Sequence, residues 1–204
     1  IIAAKAGGAD PAMNLRLRYA INDAKSVSVP KENIERAIKR GTGELEGGNF
    51  EEVLYEGYGP AGVAVLCEIL TDNRNRTVPD MRHAFSQYGG NMAEPGAVGW
   101  QFDRKSYFAF PSKELSFDKA FELGIEAGAD DVVDGEETIE IYGPVEQFKT
   151  IADALHKAKV HTQEAGLCMV PKQEIELDVE STLKFMKMVE AIEELDDVQD
   201  VFHN

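Results

Sequence analysis

The stretch GVAVLCEILTDNRNRT, residues 62–77, indicates how the chain folds, because it joins an almost continuous apolar run to two arginines and two asparagines. Residues 62–70 are typical of a strand that is covered on both faces. Thr77 then provides an N-cap for a helix that ends at Gly89. The sequence therefore predicts a central strand, a loop at residues 73–76 and a helix.

The loop predicted at residues 73–76 carries two cations in an otherwise acidic chain. A strand-to-helix loop can bind phosphate, because backbone N–H groups, the positive end of the helix dipole and side-chain donors converge there. Arg74, Arg76 and the two asparagines therefore indicate contact with an anion. The alternative is a solvated turn whose arginines pair with nearby carboxylates, since charged surface segments are commonly nothing more than surface.

The charge of the chain is distributed unevenly along its length. Its net charge of −16 argues against a protein that coats nucleic acid through overall attraction. Residues 1–48 nevertheless contain eight Lys and Arg against six Asp and Glu, whereas residues 106–204 are strongly acidic. We therefore expect any nucleic-acid surface to lie in the front half of the chain.

Nothing in the sequence indicates a membrane or a secreted protein. No apolar stretch reaches the roughly 18 to 20 residues of a membrane span, and no signal-peptide pattern opens the chain. Cys67 and Cys168 lie far apart in apolar stretches, so we expect two reduced core thiols and a cytoplasmic location. The first five residues resemble the end of a helix, and we expect the natural chain to begin upstream of them.

Residues 1–48 are predicted to form a helical domain. One helix is expected at about residues 10–25 and a second at residues 30–40, because apolar side chains recur there at helical spacing after good start signals. The segment 41–48 holds four glycines and a single apolar side chain, which predicts a domain boundary.

The second of these helices presents four cations, Lys31, Arg36, Lys39 and Arg40, on its outward side. Two interpretations are open. The cations are either part of a binding surface or an ordinary solvated face, on which Lys and Arg are placed favourably for the negative end of the helix dipole.

The rest of the chain alternates strands and helices. Residues 106–170 have the order β-α-β-β-α-β of a ferredoxin-like domain. Residues 49–105 and 171–204 each have the order β-α-β, with strands expected at 63–70, 98–102, 174–177 and 198–202. Because a lone β-α-β is too small to be stable, we predict that these two segments form a second ferredoxin-like domain. The fold class expected is α+β, with an N-terminal helical domain followed by two ferredoxin-like α/β domains, one inserted into the other.

The sequence does not indicate a cofactor, metal or catalytic site. Residues 57–62 match G-x-G-x-x-G, but this motif precedes a strand instead of following one, so we interpret it as a tight turn. The four histidines lack metal-ligand spacing. Cys67 and His83 are the one suggestive nucleophile–base pair, and a buried structural cysteine is the simpler interpretation. We expect a protein without enzymatic activity.

Four motifs resemble the YebC/PmpR family, which includes a mitochondrial translational activator. They are PKENIERAIKRGTG (30–43), YEGYGPAGVAV (55–65), TDNRNRT (71–77) and HAFS followed by GGN (83–91). The resemblance covers essentially the whole chain. The sequence differs in having Ala61 where glycine is usual, and it lacks the basic N-terminal segment, of the G-H-S-K-W type, with which family members begin.

The resemblance implies a three-domain α/β protein that contacts nucleic acid and has no known enzymatic activity. Bacterial members are described as DNA-binding transcriptional regulators, and others as ribosome-associated factors that help translation through proline runs. The site residues expected on this basis are Arg74, Arg76, Arg36, Lys39 and Arg40 for phosphate, Asn73 and Asn75 for phosphate, sugar or base edges, and Lys31 and Thr77 beside them.

We favour a ribosome-associated translation factor that contacts ribosomal or transfer RNA. No helix-turn-helix spacing is evident, and an acidic protein with a small basic patch suits RNA within a ribosome better than duplex DNA sampled alone. The first alternative is a DNA-binding transcriptional regulator. The second is a protein-interaction scaffold, which would be favoured if replacing Arg74 and Arg76 left nucleic-acid binding intact.

Overall fold

The computed structural model describes residues 1–45 and 50–204, which form two compact units. The first unit comprises Ile1, Ala3–Glu46 and Arg104–Cys168, and the second comprises Ile2, Gly47–Asp103 and Met169–Asn204. The three domains predicted from the sequence, 1–48, 49–105 with 171–204, and 106–170, stay a prediction. Part of the boundary expected at 41–48 lies outside the described residues.

Three helices open the first unit: α1 (Ile2–Gly7), α2 (Leu15–Ser26) and α3 (Lys31–Gly41). Helix α2 begins at Leu15, later than the start predicted at about residue 10, because Asn14 is its N-cap and accepts a hydrogen bond from Leu17 N at 3.1 Å. The buried Asn14 amide also donates to the carbonyl oxygens of Ala3 and Gly8, at 2.7 and 2.9 Å. One side chain therefore both starts α2 and holds it against α1.

A four-stranded sheet and two helices form the rest of the first unit, and the division between the units falls within two strands of this sheet, β4 (Phe102–Pro111) and β7 (Glu164–Pro171). Its strands lie in the order β5-β6-β4-β7, which is the ferredoxin-like order. The core includes Phe108, Phe110 and Ile141. The ring of Tyr19 in α2 packs edge-on against the ring of Phe148, with the two ring centroids 5.5 Å apart. The elements are β4 (Phe102–Pro111), α5 (Phe117–Glu126), β5 (Asp131–Asp134), β6 (Thr138–Pro144), α6 (Phe148–Lys157) and β7 (Glu164–Pro171).

The second unit contains another four-stranded sheet, in the order β3-β1-β2-β8. Its strands are β1 (Glu51–Tyr58), β2 (Ala64–Thr71), β3 (Asn91–Met92) and β8 (Val198–His203), and its helices are α4 (Arg74–Gln87) and α7 (Val179–Glu193). Val65 and Cys67 of β2 belong to a core cluster with residues of both helices, whereas Leu66 belongs to a cluster on the other face. The predicted central strand is therefore confirmed, and so is the α+β class with N-terminal helices and two antiparallel four-stranded sheets.

Several predicted elements of the second unit are wrong in detail. The sequence analysis did not predict β1, which forms a central hairpin with β2. Residues 99–101 form a 3-10 turn instead of a strand, and residues 174–177 are not a strand. Apolar alternation over so few residues does not show whether a sheet edge is within reach, so it overpredicts strands.

The end of β1 and the turn Pro60–Gly62 that follows it both need small residues. A Cβ at Gly57 would lie 2.5 Å from the Phe85 ring of α4, and a Cβ at Gly59 would lie 2.8 Å from the Phe185 ring of α7. Ala61 has φ 59°, a left-handed conformation that glycine adopts without strain. This conformation explains why glycine is the usual residue at the position.

The corner between β2 and α4 is joined to the turn between α7 and β8 through Asp197. Its carboxylate accepts hydrogen bonds from Arg76 at 2.7 and 2.9 Å, from Thr77 Oγ1 at 2.6 Å and from Thr71 Oγ1 at 3.2 Å. The backbone adds a bond from Leu70 N to Asp197 O at 2.8 Å. Burial opposes ionisation of Asp197, but the Arg76 and Thr77 donors outweigh it and hold its pKa below the usual value.

A second carboxylate, that of Glu56, fixes the turn that follows β3. Glu56 is 7% exposed and accepts backbone N–H bonds from Gly96, Val98 and Gly99 at 2.6, 2.7 and 2.8 Å. Burial opposes its ionisation, yet the three N–H groups lower its pKa overall. The turn at residues 94–101 is thus anchored to β1 by charge-assisted hydrogen bonds.

Replacing Asp197 with Ala is expected to lower the free energy of unfolding by about 2–3 kcal/mol, because it leaves the Thr71 and Thr77 hydroxyls and the Arg76 guanidinium without their shared acceptor. Chemical denaturation at neutral pH measures the change. Asp196→Ala is the matched control, since Asp196 is exposed and carries the same charge. Equal stability of the two variants would contradict the role assigned to Asp197.

Replacing Glu56 with Gln is expected to make the stability less sensitive to acid. A lowered pKa stabilises the fold above the ordinary carboxyl pKa, and that contribution is lost as the pH falls through the lowered value. The unmodified chain should therefore lose more unfolding free energy than the variant between about pH 5 and pH 2. Denaturant titrations across this range test it, with Glu94→Gln at an exposed position of the same turn as the control. Parallel pH profiles for all three proteins would refute the assignment.

Candidate nucleic-acid interface

The predicted anion-binding loop is not a loop in the structure but the first turn of α4. Asn73 is the N-cap, and its Oδ1 accepts from Asn75 N at 3.1 Å and from Arg76 N at 3.3 Å. The prediction of Thr77 as the N-cap is therefore wrong, because an asparagine four residues earlier already satisfies the free N–H groups. The Asn73 acceptor oxygen is committed to the helix.

Both arginines of this turn are paired with carboxylates. Arg74 makes a two-pronged contact with Glu51, Nε to Oε1 at 2.6 Å and Nη2 to Oε2 at 2.7 Å. Arg76 contacts Asp197 as described above and also Asp72, at 3.2 Å. The hydrogen bonds that each guanidinium donates to these carboxylates raise its pKa. This arrangement matches the alternative interpretation from the sequence, in which the turn is solvated and its arginines pair with carboxylates of the protein.

Thr77 is 2% exposed and faces inward. Its Oγ1 lies 2.6 Å from Asp197 Oδ2, 2.8 Å from Thr71 Oγ1 and 3.1 Å from Asn73 O. These contacts saturate the hydroxyl, so Thr77 supports the corner from within. We do not retain it as a ligand contact.

The charges at the α4 corner do not favour a phosphate as the side chains stand. Two guanidinium groups face three carboxylates, so the local balance is negative. A phosphate would have to displace charge-assisted hydrogen bonds of 2.6–3.2 Å to reach either arginine. Contact there requires the ion pairs to open first.

The second group of predicted residues lies on α3, and most of its cations, unlike the two arginines of α4, have no carboxylate partner in the part of the chain that the structure describes. Lys31, Arg36, Lys39 and Arg40 are all exposed, and Lys31 alone has a carboxylate partner, Glu35 at 3.6 Å. Arg36, Lys39 and Arg40 make no ion pair with any residue that the structure describes. They stand at positions i, i+3 and i+4, so they share one side of the helix. We call these three residues the α3 cationic face.

The position of α3 follows from its own sequence. Ile34, Ala37 and Ile38 are half-buried, and Ile38 packs against the small cluster of Ala3, Ala4 and Leu17. A Cβ at Gly41 would collide with Ile1 O, so glycine permits the close approach of the end of α3 to the start of the chain. The apolar stripe of α3 is docked in this way, and the opposite side is left to solvent.

The structure gives no support to the chemical alternatives. Cys67 is fully buried, and burial raises the pKa of its thiol to about 12, while His83 is exposed. Within residues 1–45 and 50–204 there is no group of three His, Cys, Asp or Glu side chains that could hold a metal ion. The described helices include none long and apolar enough to cross a membrane.

The sequence analysis did not predict two parts of this picture, of which only the second had a local signal. Glu51 and Asp197 lie 23 and 121 residues from the arginines they contact, and no local pattern announces such pairs. Trp100 was expected to alternate within a strand but is 69% exposed on a turn. Its exposure could have been suspected from the Pro and Gly residues around it, which favour a turn.

Comparison with known proteins identifies relatives along the whole chain. A family model described as the TACO1/YebC protein N-terminal domain matches residues 1–44, and one described as the TACO1/YebC second and third domain matches residues 50–204. A probable transcriptional regulatory protein of Trichlorobacter lovleyi is 48% identical over 203 residues, and one of Geobacter sulfurreducens is 49% identical over 203 residues. Each match covers 100% of this chain and 82% of the relative.

A solved structure shares the fold. The crystal structure of a conserved hypothetical protein from Aquifex aeolicus matches with a TM-score of 0.93 and 46% sequence identity, covering 100% of this chain and 84% of the other. The family models and the relatives agree with the resemblance drawn from the four sequence motifs. The chain belongs to the TACO1/YebC family.

Proposed function

We propose that this protein is a non-enzymatic regulator of gene expression that binds nucleic acid through the α3 cationic face. The observation that carries the proposal is that Arg36, Lys39 and Arg40 are exposed, share one side of a helix and have no carboxylate partner among the described residues. When unpaired cations in such an array contact phosphates, they displace counterions that were bound to the nucleic acid, and the release of these counterions drives binding. The proposal keeps the cytoplasmic location expected from the sequence.

Transcriptional regulation is the first form of this proposal, and it replaces the ribosomal form favoured by the sequence. The support comes from the relatives, which are named probable transcriptional regulatory proteins at 48–49% identity. Several predicted contacts keep a secondary role. Lys31 lies one to two turns before the cationic face on the same helix. Arg74 and Arg76 would join only after their ion pairs open, and Asn73 only after its capping bonds open, whereas the Asn75 side chain is already exposed.

Association with the ribosome is the second candidate, and one observation favours it. Three cations on a chain with a net charge of −16 make few phosphate contacts, so independent binding to a duplex would be weak. A surface this small is adequate when other contacts hold the protein in a larger particle. Contact with ribosomal RNA satisfies that condition.

Neutralising the α3 cationic face is expected to weaken nucleic-acid binding and flatten its salt dependence. In the variant with Arg36, Lys39 and Arg40 changed to Gln, the slope of log affinity against log salt should fall in magnitude by about two to three, since each lost phosphate contact removes about one. Fluorescence anisotropy of a labelled oligonucleotide over a salt series measures the slope.

Two further variants act as controls for this experiment. Changing Lys119, Lys149 and Lys157 to Gln removes the same charge from exposed positions in the acidic part of the chain and should leave the slope unchanged. Changing Arg74 and Arg76 to Gln should reduce binding less than the α3 variant, because those cations are already neutralised. Undiminished binding by the α3 variant would overturn the proposed site.

Sedimentation and promoter binding separate the two forms of the proposal. If the protein regulates transcription, it should retain specific promoter fragments and stay at the top of a sucrose gradient at native salt, and the α3 variant should lose the promoter fragments. Co-migration with ribosomal particles, lost in the α3 variant, would instead select the ribosomal form. Failure to bind nucleic acid in both experiments would favour a protein-interaction scaffold.

A further inference from the structure

We propose that Trp100 is a stacking platform for an unpaired nucleobase. Trp100 is the single tryptophan of the chain, and it is 69% exposed on the 3-10 turn Gly99–Gln101 of the second unit. An aromatic ring on the surface contributes little to the core and costs free energy by facing water. The inference rests on the proposed function and deepens it, because it names the class of nucleic acid: one with unpaired bases.

The indole is held in one orientation by hydrogen bonds to its own turn. Its Nε1 donates to Ala97 O at 3.1 Å, and the Tyr58 hydroxyl donates to the same carbonyl at 3.2 Å. The turn itself is anchored by the three backbone N–H bonds to the buried Glu56 carboxylate. The hydrogen-bond donor of the ring is therefore already paired within the protein. Because the ring is held in place before a ligand binds, binding costs little side-chain conformational entropy.

The surroundings of the ring suit a flat partner. The chain neighbours on its N-terminal side are Gly96, Ala97, Val98 and Gly99, and Val98 is buried, so no large side chain of this segment stands beside the ring. A base needs one free ring face at stacking distance, and any base provides a suitable π surface.

A cation is bonded to the backbone carbonyl of Trp100 and offers a contact for the phosphate of a stacked nucleotide. Lys172 Nζ donates to Trp100 O at 2.8 Å and stands 3.3 Å from Asp103 Oδ1. The side chains of Lys172 and Asp103 are 49% and 57% exposed, and Lys172 becomes available to a phosphate once its ion pair with Asp103 opens. An aromatic face beside a lysine is the combination found at sites for single-stranded nucleic acid.

The same surroundings argue against a protein partner. The core of a protein–protein interface is largely apolar and depleted of charge. The chain around Trp100 instead provides Glu94, Gln101, Asp103 and Lys172, with one exposed aromatic ring among them. A single ring in a polar setting provides too small an apolar area for a protein but enough for one base.

The emission of Trp100 reports directly on this contact, because the chain has no other tryptophan. Oligouridylate of about twelve nucleotides, within the site size of single-strand binding surfaces, should quench the emission as it binds. Inorganic polyphosphate of similar charge carries no bases and should leave the emission unchanged, and so should a DNA duplex of equal length. Quenching by polyphosphate to the same extent would overturn the stacking assignment.

Variants give an independent measurement of the same contact. In anisotropy titrations with labelled oligouridylate, Trp100→Ala should weaken binding about tenfold, as expected for the loss of one stacked base. Trp100→Phe should keep part of the affinity, because it retains an aromatic face, and Lys172→Gln should weaken binding and reduce its salt dependence.

The outcomes separate this inference from the proposed function. One set of results would show that stacking is wrong while the proposed function stands. In it, oligouridylate binds the unmodified chain without quenching its emission, the α3 variant loses that binding, and Trp100→Ala binds normally. The exposed ring would then belong to a protein contact. If neither oligouridylate nor the duplex binds the unmodified chain, both proposals are overturned.

Discussion

The second unit depends on the hydrogen bonds that the Asp197 carboxylate accepts. This carboxylate accepts hydrogen bonds from Thr71, Arg76 and Thr77 and so connects the end of β2 and the start of α4 to a turn more than a hundred residues later in the chain. The strand that follows this turn, β8, pairs with β2 and completes the sheet. An acceptor shared by three donors is costly to remove, because the buried Thr71 and Thr77 hydroxyls would lose a bond in a place that water does not reach.

The same interaction changes the meaning of the arginines in the sequence. A cation is available to an external phosphate only if the protein has not already neutralised it, and at the α4 corner the protein has done so. On α3 the cations face solvent, since the helix uses its apolar stripe for docking and Arg36, Lys39 and Arg40 make no ion pair with a described residue. Two segments that look alike in composition thus have different capacities for binding.

Carboxylates act as internal anchors elsewhere in this acidic chain. Glu56 gathers three backbone N–H groups and holds the turn that presents Trp100, and Glu51 holds Arg74. Part of the negative charge is therefore used to fix turns that have few apolar residues of their own. The remaining acidic surface repels polyanions, so the proposed binding relies on the places where cations or an aromatic ring are exposed.

The sequence by itself determined the class of the fold, the central strand β2, the helical front and the family. These features depend on local periodicity, on start and stop residues and on motifs, all of which are contained in short stretches of chain. It also indicated both groups of candidate cations and allowed for the alternative that the arginines pair with carboxylates.

Only the tertiary structure decided which alternative holds at each place. It showed that Asn73 and not Thr77 begins α4, that β1 forms a hairpin with β2, and that Trp100 lies on an anchored turn. It paired Arg76 with Asp197 across 121 residues of chain. The physical reason is that the availability of a side chain depends on which groups the fold brings within about 3 Å of it, and hydrogen bonds at that distance join residues whose separation in sequence carries no local signal.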